Sequence, residues 1–261
     1  MRLYPYSWRR KLRKVPYLRD TYRWLRDCWH YFCFVLFADV PLSYGERIAL
    51  LKRLRKATKG IDCAHTEGEL LVVMAGMLAL TPDVPGVVVE AGCFKGGSSA
   101  KFSVICKRLG RKLIVYDSFE GMPENDDPHD QPSKFGFTSH YPGGIYAGAY
   151  QEVVDNVRNY GEPEVCSYVK GWFDDTMPGF DQPIAAIYLD VDLPSSTRTC
   201  LKHLYPRLSP GGLLYSQDAH LPPVVDVFED EQFWRRELGI AKPQIIYSRH
   251  KGILWVRKAP N

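Results

Sequence analysis

The stretch that most restricts the fold is Val87–Ser99, VVVEAGCFKGGSS. Three β-branched residues run into Glu90. Glycines follow at 92, 96 and 97, and Ser98 and Ser99 open a stretch of helical character from Ala100 to Leu109. A short apolar run closed by a turn signal is the pattern of a buried parallel strand. Glycines between strand and helix let backbone approach a ligand closely, and the free N–H groups of the helix favour an anion there. The spacing, Gly-x-x-x-Gly-Gly with Glu90 ahead of the first glycine, differs from the dinucleotide fingerprint. Taken alone, the turn suits a nucleotide-type ligand and a plain tight connection equally well.

The next strand decides between them. Lys112–Asp117 (KLIVYD) is again apolar and again closed by a carboxylate, with Ser118-Phe119-Glu120-Gly121 behind it. An acidic residue ending the second strand is where Rossmann-like sites hold ribose hydroxyls. Further apolar runs read as strands at Val165–Lys170, Ile184–Asp190 and 213–218 (LLYSQD). Helical stretches lie at Gln151–Tyr160, Thr197–Leu208 and Pro222–Leu238. Pro210-Gly211-Gly212 reads as the turn leading into LLYSQD. Ile245–Ser248 and Gly252–Val256 read as an antiparallel hairpin at the sheet edge. Strand and helix alternate, so the spacing predicts an α/β chain with a doubly wound, mostly parallel sheet.

Upstream, Glu46–Thr58 has helical apolar spacing with a basic outer face. Thr66 followed by Glu69 predicts a capping box ahead of LLVVMAGMLAL, a run ended by Pro82 and Pro85. Residues 123–149 are rich in Pro, Gly, Asp, His and Tyr, a length and composition expected of a lid over a substrate or of a disordered loop.

The net charge of +4 conceals an asymmetry. Residues 1–60 carry 15 Lys and Arg against 4 Asp and Glu, and the remainder is net acidic. The chain therefore divides into a basic, aromatic extension (1–60) and an α/β domain (61–261). A nucleic-acid substrate is not expected, because the domain that would hold the polymer carries the wrong sign. The aromatic and basic residues of 1–40 suit either a helical cap on this or another subunit, or peripheral contact with a membrane surface. The apolar part, Cys28–Ala38, is too short to span a bilayer. Seven scattered cysteines without Cys-x-x-Cys spacing argue for free thiols in a reducing, cytoplasmic setting, and no secretory signal is evident.

In a sheet of this kind ligands sit outside the carboxyl ends of the strands. The polar residues there are Glu90, Asp117, Asp190 with Asp192, and Gln217 with Asp218, followed by His220. Asp190 and Asp218 close adjacent strands, so with Gln217 they offer an oxygen-only donor set suited to Mg²⁺ before Zn²⁺. Asp192 and Ser195 read more simply as caps of the following helix.

The blocks GVVVEAGCFKGGSS, YDSFEGMPEND, VKGWFDDTMP and YLDVDLPSSTRTCLKHLYPRLSPGG, with the SQD that follows, together resemble the macrocin O-methyltransferase family over roughly residues 62–256. The resemblance implies a Rossmann-like class I methyltransferase domain with a seven-stranded sheet. It also implies S-adenosyl-L-methionine and Mg²⁺ as cofactors, a sugar or polyol hydroxyl as acceptor, and a homo-oligomer. On it, Glu90, Gly92, Gly96 and Ser98 would hold the methionine part of the cofactor, and Asp117 with Ser118 its ribose. Gly171 and Trp172 would lie near the adenine. Asp190 would serve both cofactor and metal and could take the acceptor's proton, and Asp218 would complete the metal site. Read from the residues alone, the Gln217 amide oxygen is a further donor and His220 an added ligand or the base, and a metal-independent enzyme would rely on His220 as its base. Two departures stand out: Gln217-Asp218 where the family shows two aspartates, and Pro194-Ser195 in place of a Tyr-Asp pair.

Overall fold

The computed structural model describes residues 16–58, 60–127, 132–133, 136, 141–248 and 252–259, with only the backbone over 16–24. Strands β1 (Val87–Ala91), β2 (Leu113–Asp117) and β4 (Ile184–Leu189) are buried almost end to end, as uninterrupted apolar runs require of central strands. With β3 (Cys166–Lys170), β5 (Leu208–Ser216), β6 (Ile246–Tyr247) and β7 (Leu254–Arg257) they form one sheet in the order β3-β2-β1-β4-β5-β7-β6. The first five pair in parallel, while β7 runs antiparallel to both β5 and β6. The expected doubly wound sheet and its antiparallel C-terminal pair are both present.

Helices α1 (Pro16–Phe37), α2 (Tyr44–Ala57), α3 (Glu67–Leu78), α4 (Gly97–Leu109) and α5 (Tyr150–Tyr160) cover one face of the sheet. The short α6 (Phe173–Thr176), α7 (Pro194–Leu204), α8 (Pro222–Glu229) and α9 (Glu231–Arg236) cover the other. The pleat sorts the strands between the layers. Val88, Val115, Tyr188 and Tyr215 pack under the first set, and Val89, Tyr116, Ile187, Leu189 and Leu214 under the second.

Local chemistry explains where the helices begin. Thr66 and Glu69 form the predicted capping box at α3, and Ser43 with Glu46 forms a second one at α2. The basic face of α2 is partly employed. The Arg47 guanidinium donates to the carbonyls of Val35, Val40 and Leu42, and Arg53 to those of Tyr160 and Gly161 and to Glu162. Phe34, Leu50, Leu51 and Leu54 belong to the same core as the sheet, so α1 and α2 are integral to the packing.

Three boundaries differ from expectation. The helix expected over Thr197–Leu208 starts at Pro194, where a proline at the first position is preorganised for it, and ends at Leu204. Pro210-Gly211-Gly212 lies within β5 as an irregularity: Leu208 pairs with Ile184 and Leu213 with Ala186, and the surplus β5 residues bulge. The helix expected over Pro222–Leu238 is two helices. Asp230 leaves helical geometry (ψ 94°) and its carboxylate accepts from the N–H of Gln232 and Phe233, which starts α9 afresh.

Candidate active site

Backbone hydrogen bonds continue past the strand ends and tie the carboxyl rim together. Gly171 N–H donates to the Asp117 carbonyl (3.0 Å), Gly92 to Tyr116 (2.9 Å), Asp190 to Ala91 (3.0 Å) and Gln217 to Leu189 (2.8 Å). These steps carry the rim from β3 across to β5 and bring Glu90, Asp117, Asp190 and Asp218 to one edge. The chain crosses over between β1 and β4 here, the place where an open α/β sheet leaves a ligand crevice.

The turn from β1 to α4 forms one wall. Gly92 has φ +81°, and a Cβ there would fall 2.0 Å from the Asp190 carbonyl oxygen, so no larger residue fits. Gly96 caps α4 in the left-handed region, and Ser98 and Ser99 are buried in its first turn. The Asp117 carboxylate accepts from the N–H of Cys93 and of Phe119, each at 2.7 Å, and so links the turns after β1 and β2. Burial still leaves its carboxyl raised, against those backbone donors. The Ser118 hydroxyl is spent on its own turn, donating to the Gly121 carbonyl and accepting from Glu120 N–H. Gly171 and the exposed Trp172 follow β3, next to Asp117.

Glu90 is fully buried, and neither carboxylate oxygen has a hydrogen-bond partner. Burial pushes its carboxyl up to about 7, opposed by the neighbouring Ser98 and Ser99 hydroxyls and by His65. Such an isolated acid beside a glycine turn is a ready partner for a cationic group on a ligand.

The second wall is a cluster of carboxylates. Asp218 is fully buried, and its Oδ2 accepts from the N–H of both Val191 and Asp192 at 3.0 Å. Its Oδ1 is buried with no partner. Asp192 sits in left-handed backbone (φ +57°), a strained state seen at functional sites, and Tyr141 hydrogen-bonds its side chain. Burial, then the charge of Asp190, holds the Asp192 carboxyl well above the ordinary range. Burial followed by Asp192 and Asp190 does the same to Asp218. The Tyr188 hydroxyl lies 3.1 Å from Gln217 Oε1 and 3.5 Å from Asp190 Oδ2, and its single proton can serve only one of them. His65 Nδ1 stands 3.9 Å from Asp190 Oδ2, too far for a hydrogen bond but close enough for charge. Burial pulls His65 down, but Asp190, aided by Cys63, overrides it and raises it to about 9.

This donor set suits a hard cation, being all oxygen with two acids held above their normal range and one orphaned buried oxygen. Among the described residues no three His, Cys, Asp or Glu side chains form a ready cage. Gln217 reaches the same cluster with its oxygen turned to Tyr188. His220 lies half-buried in the turn after β5, two residues beyond Asp218.

Two members of the cluster receive no site role from the sequence: Asp192 is placed at the rim but read as a cap, and His65 is not singled out. Asp192 reads as a helix cap, yet the cap position of α7 is Leu193 and the Asp192 carboxylate goes to the cluster instead. His65 precedes the α3 cap, and nothing in its neighbourhood along the chain marks it; only the fold sets it against Asp190. Ten of the 27 residues of the lid expected over 123–149 lie outside the described residues. Its described end brings Tyr141 to Asp192 and sets Tyr146 within the field of Asp192 and Asp190.

Comparison with known proteins places the chain in a family. The macrocin-O-methyltransferase family model matches residues 73–257. The chain is 36% identical over 182 residues to 8-demethyl-8-(2,3-dimethoxy-alpha-L-rhamnosyl)-tetracenomycin-C 4'-O-methyltransferase of Streptomyces olivaceus, covering 67% of each chain. It is 30% identical over 187 residues to mycinamicin III 3''-O-methyltransferase of Micromonospora griseorubida, covering 69% of this chain and 72% of the other. The structure of the O-methyltransferase NovP superposes with a TM-score of 0.63 at 24% identity, covering 91% of this chain and all of that one. The chain is therefore an S-adenosylmethionine-dependent O-methyltransferase and belongs to the macrocin-O-methyltransferase family.

Proposed function

We propose that this enzyme methylates a hydroxyl of a sugar or a similar vicinal-diol small molecule, with Mg²⁺ assistance, in natural-product or glycan biosynthesis. The relatives named above act, by their names, on a rhamnosyl tetracenomycin and on mycinamicin III. The observation that carries the reading is the junction of Asp190, Asp192 and Asp218, pinned by the two backbone N–H groups on Asp218 Oδ2.

When bound, S-adenosylmethionine would supply an electrophilic methyl group, and Mg²⁺, which Asp190 and Asp218 would hold, would supply Lewis acidity for the acceptor hydroxyl. The residues of the chain do the rest. The Gly92–Gly97 turn leaves room for the amino-acid part of the cofactor, and Glu90 meets its ammonium. Asp117 keeps spare lone pairs for the ribose while it binds two backbone donors. Asp192, half-buried and with its proton affinity raised, takes the proton that the acceptor oxygen gives up as it bonds to the methyl carbon. Tyr141 hydrogen-bonds that acid and orients it, and Tyr146 lies within its field.

The test is methyl transfer from labelled S-adenosylmethionine to a panel of deoxysugar glycosides and catechols, with and without EDTA. Transfer to glycosides that EDTA stops and Mg²⁺ restores is expected. Activity that survives EDTA overturns the metal assignment, and turnover confined to catechols overturns the sugar acceptor.

A further inference from the structure

The two sides of α1 are chemically opposite. On the inner side Phe34 is buried in the core. The Tyr31 hydroxyl meets Glu67, which pairs with the buried Lys101 of α4. Gly68 lies so close under the His30 ring that a Cβ would fall 2.5 Å from it. These contacts fix α1 to α3 and, through Lys101, to the helix that follows the glycine turn.

On the outer side Leu25, Trp29, Phe32 and Leu36 recur at helical spacing and form one exposed stripe, with Trp29 61% and Phe32 49% exposed. The Trp29 and Phe32 rings are stacked with centroids 5.7 Å apart. Phe37, 71% exposed, meets Phe32 edge-on at 6.1 Å. Tyr44 and Ile48 of α2 are exposed nearby in the chain. The stripe is about 16 Å long at the helical rise per residue. A contiguous row of exposed large apolar side chains marks a contact surface.

Charge decides what the contact is. The sequence places eight Lys and Arg and a single acidic residue in positions 1–24, immediately before the stripe. The basic residues that precede the stripe in sequence favour an anionic partner over a second copy carrying the same charge. An anionic lipid surface answers both features at once, taking the aromatic side chains at its interface and the basic residues at its headgroups. No helix among the described residues is long and apolar enough to cross a membrane, so the fit is to a helix lying in the surface plane.

We propose that α1 seats this enzyme on an anionic bilayer, with Leu25, Trp29, Phe32 and Leu36 immersed at the interface. The test is co-sedimentation of the full chain with phosphatidylcholine vesicles that contain or lack phosphatidylglycerol, at low and high salt. The wild type is expected to pellet with the anionic vesicles and to be released by salt. The exposed-site variant W29S/F32S should bind roughly tenfold more weakly or worse, from the apolar area it no longer buries. W29L/F32L, which keeps that area, should still pellet, and thermal melting confirms that each variant is folded. No pelleting of the wild type overturns the proposal, as does equal pelleting of W29S/F32S. So does a wild-type dimer in analytical ultracentrifugation that W29S/F32S dissociates, since a second copy would then cover the stripe.

Discussion

Both oxygens of Glu90 are buried without a partner, and that isolation sets a pH signature on the empty protein. Its carboxyl lies at about 7 in the fold against an ordinary value near 4.5. Between these values the folded chain holds a proton that the unfolded chain has lost, so stability falls as pH rises. The contribution is fully present below 4.5 and gone above 7, a change of up to about 3 kcal/mol. Glu90→Gln should flatten this slope in thermal melts and make the ligand-free protein more stable at pH 8. The same variant should bind S-adenosylhomocysteine at least tenfold more weakly by calorimetry, because the ligand's ammonium loses its counter-charge. Asp218 behaves differently. Asp218→Ala strands two backbone donors and should cost about 2–4 kcal/mol in denaturant unfolding. Asp218→Asn keeps an acceptor for them, so it should fold normally while kcat falls by two orders of magnitude or more. At this scale the strand-end acids Glu90, Asp117, Asp190 and Asp218 were legible, because an apolar run closed by a carboxylate marks a rim. Asp192 was not, since an aspartate ahead of a helix reads as its cap until the backbone shows Leu193 in that place.

Helix α3 begins at a capping box that also sets the position of His65, the residue just before Thr66. Thr66→Ala should cost about 1 kcal/mol of stability. By loosening His65 against Asp190 it should lower kcat more than it raises KM for S-adenosylmethionine, and steady-state kinetics beside a thermal melt would separate the two effects. The capping boxes were readable because they depend on residues three apart. The break between α8 and α9 was not, because the apolar spacing runs straight through it. What interrupts the helix is the pair of N–H groups that Asp230 captures, reinforced by the buried Trp234 indole donating to the Phe228 carbonyl. The bulge within β5 escaped for a similar reason. Pro-Gly-Gly signals a turn locally, while pairing with β4 and with Lys258 holds the segment in the sheet.

For the molecule as a whole, the helices contributed by residues 16–57 belong to the core. Phe34, Val40, Leu42, Leu50, Leu51 and Leu54 are buried there at roughly 2 kcal/mol each, a total comparable with the entire stability of an ordinary domain. A chain lacking residues 1–60 should therefore be insoluble or molten, with near-UV circular dichroism lost and far-UV signal partly kept. A cooperative melt from such a chain would show that these helices are dispensable. The Arg47 and Arg53 side chains work at this scale too, tying α2 to backbone carbonyls of α1 and of the segment after α5.

The linear chain by itself determined the alternation of strand and helix, the glycine turn, the strand-end acids and the helix starts. Each of these depends on residue type and on spacing within a few positions. Tertiary structure alone decided that Asp192 and His65 join the site, that Asp218 spends one oxygen on two backbone donors, and that α1 shows an apolar stripe to solvent while its other face enters the core. Those facts turn on which distant segments meet and on where water is excluded, and neither is encoded in any short stretch.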